Sequence, residues 1–277
     1  KNYQVNLNGS KWLNDNLKLK STFYYRDNKY AYDKSSTKED SVTADNKMYA
    51  VQSGIERKTK NSLDNLILHY HNYDRKYYTV GLKDKYYSET ITLKGERDLI
   101  INDKLSYGFG SEYKYDWANF ETQSFTSQSK GHVSNFGTFA NAGYKFNENQ
   151  ILALHARNDH HRITDENQTY KINFIQFLNQ FKLSATHSTG LKNPGLYEFY
   201  GSSNWHTGSE SVDPEKSKTN ELYGEYNYSE NISFSSTAYR TKMTNRIKNG
   251  KNVTGDTNQE GLESELKFNG DDQSISF

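Results

Sequence analysis

Apolar and polar side chains alternate with a period of two along most of this chain, and no stretch of similar length carries a 3.6-residue stripe. From Leu105 to Tyr115, Leu105, Tyr107, Phe109, Tyr113 and Tyr115 share one face, interrupted only by Ser111. Ser106, Gly108, Gly110, Glu112 and Lys114 share the other. Successive strand side chains point to opposite faces, so such a segment has one greasy side and one small or charged side. Leu262, Leu266 and Phe268 stand against Glu263, Glu265 and Lys267 in the same way, and Leu17, Leu19, Phe23 and Tyr25 against Lys18 and Lys20. Phe181, Leu183 and Ala185 continue the series, as do Ile232, Phe234 and Ala238. The fold expected is all-β and antiparallel.

The punctuation between strands is uneven. Short polar turns are read at Leu13–Asn16, Lys58–Asn61, Ile101–Lys104, Phe146–Asn149 and Tyr228–Asn231. Asn and Asp suit tight turns because they tolerate unusual backbone angles and bond the local backbone. Longer polar stretches, read as loops, run near Lys34–Asn46, Glu121–Ser134, Asn158–Thr169, Leu191–Lys218 and Asn245–Gln259. Short turns alternating with long loops is the ordering of an outer-membrane barrel. About 14 strands are expected, most of about 10 residues or more, the length a tilted membrane strand needs. Strands of a soluble sandwich are shorter, about 5–6 residues.

Composition fits that reading. The apolar share is 33 %, yet Tyr alone supplies 23 residues and Phe 14, which argues against disorder. No apolar run approaches the ~18 residues of a membrane helix, a test that barrel strands evade because they alternate. With 35 basic and 34 acidic residues the chain offers no electrostatic case for a nucleic-acid partner. Without cysteine it has no disulfide framework, thiolate zinc site or cysteine nucleophile. It begins at Lys1 with no initiator Met, which reads as a mature segment or an internal fragment.

Residues 189–201 read Thr-Gly-Leu-Lys-Asn-Pro-Gly-Leu-Tyr-Glu-Phe-Tyr-Gly. Gly190, Lys192, Pro194, Leu196, Tyr197 and Glu198 carry the pattern. Pro214-Glu215-Lys216-Ser217 and then Glu221 follow, and further on Gly261-Leu262-Glu263-Ser264-Glu265. These three motifs, in this order, resemble the barrels of TonB-dependent outer-membrane receptors. There a Thr-Gly-Phe-Lys-Ala-Pro strand end precedes a Leu-Tyr-Glu-Leu-Tyr-Gly-like segment, a Pro-Glu-Lys-Ser element and a Gly-x-Glu-x-Glu strand. The cobalamin-receptor-like branch is the nearest in pattern.

The resemblance implies a transmembrane β-barrel, with residues 1–277 supplying about 14 strands of a 22-stranded whole. The family's plug domain and closing strands are not read in this chain. Phe277 is taken as a truncation point rather than the terminal aromatic of a barrel, because the alternation before it fails. What the family implies is TonB-coupled uptake of cobalamin or a ferric siderophore across the bacterial outer membrane. Membrane lipid, the receptor's own plug and, through it, TonB would be the partners. No cofactor and no covalent chemistry are implied. Two alternatives stay open: a passive porin-like barrel, and a soluble carbohydrate-binding or glycosidase protein.

Tyr-rich strand ends suit the aromatic girdles of a membrane barrel, or packing in a soluble sheet. Tyr200, Trp205 and His206, in the Leu191–Lys218 loop, are candidate ligand contacts at the outer mouth. The bland reading is a loop folded on itself, with Pro194 and Pro214 fixing its ends. His160 and His161 beside Asp159, Asp165 and Glu166 invite a metal reading, but strand neighbours point apart, and a solvated loop is the simpler account. Asp27 and Asp33 are possible calcium ligands without EF-hand spacing. Glu263 and Glu265 lie on one strand face about 7 Å apart, within glycosidase range, though a lumen-facing position explains them without chemistry.

Overall fold

Fourteen strands form one continuous antiparallel sheet in a computed structural model of the chain. The structure describes residues 2–32, 42–79, 82–123, 127–203, 206–269 and 274–276. The long strands are β1 (Asn2–Asn14), β2 (Leu17–Tyr32), β3 (Val42–Lys58), β4 (Ser62–Thr79), β5 (Leu82–Ile100), β6 (Leu105–Thr122) and β7 (Ser127–Asn147). They continue as β8 (Gln150–His161), β9 (Asp165–Leu178) and β10 (Phe181–Lys192). A helix, α1 (Leu196–Tyr200), and a small hairpin, β11 (Ser202–Ser203) with β12 (His206–Thr207), follow. The sheet resumes with β13 (Glu215–Asn227) and β14 (Ile232–Thr244). After a second hairpin, β15 (Ile247–Lys248) with β16 (Lys251–Asn252), come β17 (Thr257–Asn269) and β18 (Ser274–Ser276). Sequence order is spatial order: β10 pairs with β13 and β14 with β17 across the two hairpins. No helix among the described residues is long and apolar enough to cross a membrane.

The five turns read from sequence are present, and their side chains act as anticipated. Asn14 Oδ1 accepts from Asn16 N at 3.0 Å, and Asn102 Oδ1 from Lys104 and Leu105 N at 2.9 Å. Asn147 Oδ1 accepts from Asn149 N at 2.9 Å. Thr59 Oγ1 and Ser229 Oγ play the same part in the other two turns. Each side chain bonds an N–H that the tight reversal would otherwise leave bare. A sixth turn escaped notice: Leu178 pairs with Phe181, and Asn179 between them sits at φ 52°. Asn is among the few residues that tolerate that region.

Three expected loops are corrected. β6 runs to Thr122 and β7 begins at Ser127, so most of Glu121–Ser134 is strand. β8 reaches His161 and β9 starts at Asp165, so the Asn158–Thr169 loop shrinks to three residues. β3 likewise claims residues from Val42 in the stretch read as Lys34–Asn46. Backbone ladders continue whatever the side-chain polarity, so a strand persists after its apolar face has ended. At 21 residues, β7 is far longer than the 9–11 a bilayer crossing takes.

The register gives the sheet two unlike faces. Leu66 pairs with Gly95, Leu68 with Leu93 and Tyr70 with Ile91, all on one face. Asn65 pairs with Glu96, His69 with Thr92 and His71 with Thr90 on the other. The apolar face is bare: Leu222 is 65 % and Leu262 72 % exposed. The accessible surface totals 18175 Å², against about 12,000 Å² for a globular protein of this mass. The small core lies almost wholly at the long-loop end, where Ala118, Phe120 and Val133 of the polar face meet Phe199 and Val212.

Candidate functional site at the long-loop end

The segment between β10 and β13 folds back over the polar face of β6 and β7 instead of standing away from it. α1 opens after Pro194-Gly195, where Glu198 Oε2 accepts from Gly195 N at 2.8 Å. That carboxylate satisfies one of the orphan N–H groups of the first turn. Phe199 is 2 % exposed and lies against the His161 ring, with centroids 5.9 Å apart. The Tyr200 ring covers Gly131 of β7, where any larger side chain would strike it. Its hydroxyl lies 2.8 Å from Glu210 Oε1 and 3.1 Å from the His132 carbonyl, and accepts from Arg162 Nη1 at 3.2 Å. Burial, reinforced by Glu210, raises its pKa above the usual phenol value.

Tyr197 is the hub. Its ring stacks on His206 at 4.7 Å and meets Phe120 at 5.5 Å and Tyr86 at 6.3 Å. Its carbonyl accepts from His206 Nε2 at 2.7 Å and from Gly201 N at 2.8 Å. The β15–β16 hairpin closes over the same place. Gly250, at φ 71°, takes a backbone angle few side-chain-bearing residues accept, and the His206 ring fills the space a Cβ would need. Asn252 accepts from Asp213 N at 2.8 Å and donates to the Asp213 carbonyl at 2.9 Å. Glu215 Oε1 accepts from Ile247 N at 2.7 Å, and Lys192 Nζ lies 3.1 Å from Glu215 Oε2. Pro214 is buried beside them. The Pro-Glu-Lys-Ser element thereby ties both long connections to the strand ends.

Beside α1 lies a cavity of about 670 Å³ lined by Tyr73, Arg75, Tyr77, Tyr86, Phe120 and Tyr197, among others. The Arg75 guanidinium sits 4.1 Å from the Tyr77 ring centre. Its Nε is buried without a hydrogen-bond partner in the structure. A buried, unsatisfied donor in an aromatic cavity suits an acceptor-bearing guest. Sequence reasoning picked out Tyr197 by motif but missed the strand residues around it. The signal was there in Tyr73-x-Arg75-x-Tyr77, which period two places on one face.

Tyr200 and His206 thus have their polar atoms engaged within the loop system, and Trp205 and Asp33 lie outside the described residues. Asp27, on the apolar face, has Lys47 Nζ at 3.9 Å. His160 and His161 do point apart, but they lie in strand β8 rather than a solvated loop, and His161 is 3 % exposed. Its Nδ1 accepts from Ile163 N at 3.3 Å and Thr164 N at 3.2 Å, which requires the unprotonated nitrogen.

The remaining motif residues lie along the polar wall. Gly190 faces Ser217, and Gly261 lies beneath the Tyr239 ring, which leaves no room for a side chain there. Glu221 pairs in register with Tyr239; Glu263 and Glu265 lie on the same face as Glu221. The wall holds its charges in pairs: Arg157 Nη2 lies 2.9 Å from Glu112 Oε1 and 2.8 Å from Asp159 Oδ1. Asn135 Nδ2 donates to the same Asp159 oxygen at 2.6 Å.

A polar-walled, apolar-backed meander with one end covered by interlocked loops matches a known family over nearly its whole length. The family model is described as TonB dependent receptor-like, beta-barrel, and it covers residues 1–274. The chain belongs to that family. The vitamin B12 transporter BtuB of Vibrio cholerae is 27 % identical over 178 residues, covering 61 % of this chain and 27 % of the transporter. Among solved structures, the Serratia marcescens hemophore receptor HasR superposes with a TM-score of 0.81 at 13 % identity, over 97 % of this chain and 52 % of that one. A ferric enterobactin receptor of Pseudomonas aeruginosa, PfeA, gives 0.80 at 16 %, over 99 % of this chain and 50 % of its own. The barrel here is partial: among the described residues β1 and β18 are the two edges of the sheet, not paired to each other. It spans about a quarter of the curated relatives and about half of these solved chains. Its polar face is the lumen side and its apolar face the outer side.

Proposed function

We propose that this chain is a large part of the wall of an outer-membrane receptor that takes up a scarce nutrient, cobalamin or a ferric siderophore, with TonB as the energy source. The match of the family model to residues 1–274 carries the proposal. The structure supports it in kind. A bare apolar face suits hydrocarbon, a polar face with paired charges suits a plugged lumen, and the covered end offers a ligand surface.

In this reading residues 1–277 act together with a plug supplied elsewhere in the protein. The plug faces the wall built from Arg157, Glu112, Glu221, Glu263 and Glu265. The ligand meets the mouth first, where Arg75, Asp84 and a ring of tyrosines supply one cationic, one anionic and several amphipathic contacts. Tyr200 and His206 stand at the rim beside it, and Trp205 is kept from the sequence reading as a candidate ligand contact. No covalent step is needed.

The test is growth of a bacterium dependent on the full receptor, with cobalamin or a ferric siderophore as the limiting nutrient. Uptake is expected with TonB present and absent without it. Uptake that persists without TonB would mean a passive pore. Arg75→Ala is expected to weaken ligand binding by about tenfold, the scale of one hydrogen bond to a charged group. Alanine at both Tyr200 and Trp205 leaving affinity unchanged would remove those two from the ligand surface.

A further inference from the structure

The outer faces of β10, β13 and β14 carry a cationic hollow directly above an apolar groove. Lys218 on β13 is register-paired with Lys242 on β14, and Lys216 stands two residues along on the same face. Like charges directly opposite each other destabilise a sheet. Lys242 reaches Asp256 at 2.6 Å, while Lys216 and Lys218 make no ion pair among the described residues. The three lysines line a hollow of about 420 Å³ together with Tyr170, Thr189 and Leu191.

Below it, toward the short turns, a groove of about 1000 Å³ runs between Ile172, Phe174, Ala185, Leu222 and Ala238, with the Arg240–Glu260 ion pair on its upper rim in the same row as Asn220. Ala185 pairs with both Phe174 and Leu222, and Ala238 with Leu222, so small residues form the floor and large ones the sides. A hydrogen-bonded row separates groove from hollow. The Tyr170 hydroxyl lies 3.3 Å from His187 Nε2, and His187 Nδ1 lies 2.8 Å from Asn220 Oδ1.

Down this face the order is ammonium groups, then a polar row, then an apolar trough. That is the order of groups in an anionic lipid, with phosphate, ester and chain in succession. A free phosphate would fill only the hollow, and a neutral lipid only the groove. We propose that this face holds a lipid with a phosphomonoester headgroup, its phosphate among Lys216, Lys218 and Lys242 and one acyl chain between Phe174 and Leu222. The phosphate relieves the Lys218–Lys242 repulsion, so the lipid favours the folded barrel. The proposal rests on the outer-membrane reading only in requiring that the apolar face meets lipid.

The full receptor is placed in bilayer nanodiscs of phosphatidylcholine containing a minor share of phosphatidic acid, and retained lipid is counted by native mass spectrometry. Selective retention of phosphatidic acid is expected, falling about fivefold per lysine in Lys218→Gln and Lys242→Gln. Lys218→Gln removes a repulsion, and Lys242→Gln gives up besides only an exposed ion pair with Asp256, so folding is expected to survive. Ala185→Phe fills the trough between Phe174 and Leu222 and is expected to weaken retention with the lysines intact. Equal retention of the two lipids, or unchanged retention in the glutamine variants, would overturn the proposal. So would displacement by inorganic phosphate together with indifference to Ala185→Phe, which would mark a simple anion site. No nutrient takes part, so this outcome is independent of the uptake assay.

Discussion

The two faces of β4 and β5 come from the same residues of sequence, yet they obey different rules. On the outer face Leu66, Leu68, Ile91 and Leu93 are all more than 40 % exposed, and none of the described residues covers them. On the lumen face the groups are polar and partnered: Thr90 donates to Asp116, and Lys94 Nζ lies 2.6 Å from Glu96 Oε2. A water-soluble sheet inverts this, with apolar residues packed within and polar ones outside. In the proposed outer-membrane setting the solvent of the outer face is hydrocarbon, which asks for apolarity but not interdigitation. The lumen face needs specific partners, because a charge half out of water is costly unless paired.

Changing one face and then the other should give different costs. Arg157→Leu leaves Asp159 and Glu112 in the lumen wall without their cation, and is expected to cost about 3 kcal/mol in urea titrations of the receptor in vesicles. Leu68→Arg puts a charge in the apolar band and is expected to cost about 2–4 kcal/mol, while His69→Arg, one residue on and facing the lumen, is expected to change stability by well under 1 kcal/mol. Equal costs at 68 and 69 would break the comparison. Gly131→Leu drives a side chain into the Tyr200 ring and is expected to cost about 1–3 kcal/mol, read as faster hydrogen exchange across residues 195–201.

The smallest effect is a pH response confined to the lumen side of the mouth. The folded loop end uses His161 with Nδ1 unprotonated, as an acceptor, so a proton added there works against folding. Stability from this group is therefore complete above the ordinary imidazole value of about 6.5 and declines as pH falls through it. Protonation removes the Nδ1 acceptor of Ile163 and Thr164. Exchange at α1 is expected to quicken between neutral pH and about pH 5, and His161→Gln is expected to flatten that response.

Much of the fold was legible. Leu105–Tyr115 announced its two faces, and the turns at Asn14, Asn102 and Asn147 announced themselves by a side chain that bonds two or three residues ahead. The Asn179 turn was less visible because it has only two residues and no accompanying cluster of turn formers. The strand extensions at Glu121–Thr122 and Asn158–His161 were read as loop because apolar alternation ends before the backbone ladder does. Of the mouth, Tyr197 and Glu198 were picked out by motif, whereas Arg75 was passed over although Tyr73 and Tyr77 flank it at strand spacing.

By itself the sequence determined the period of two, the turn chemistry and hence an antiparallel meander of long strands with one apolar and one polar face. These are consequences of each residue and its near neighbours. Only the tertiary structure decided that the Leu191–Lys218 connection lies inward, that Phe199 is buried against His161, and that Tyr197 and Arg75 share one cavity. Where a loop docks depends on the curvature of the whole sheet and on gaps such as Gly131, which brings together side chains from distant strands. No local pattern encodes that meeting.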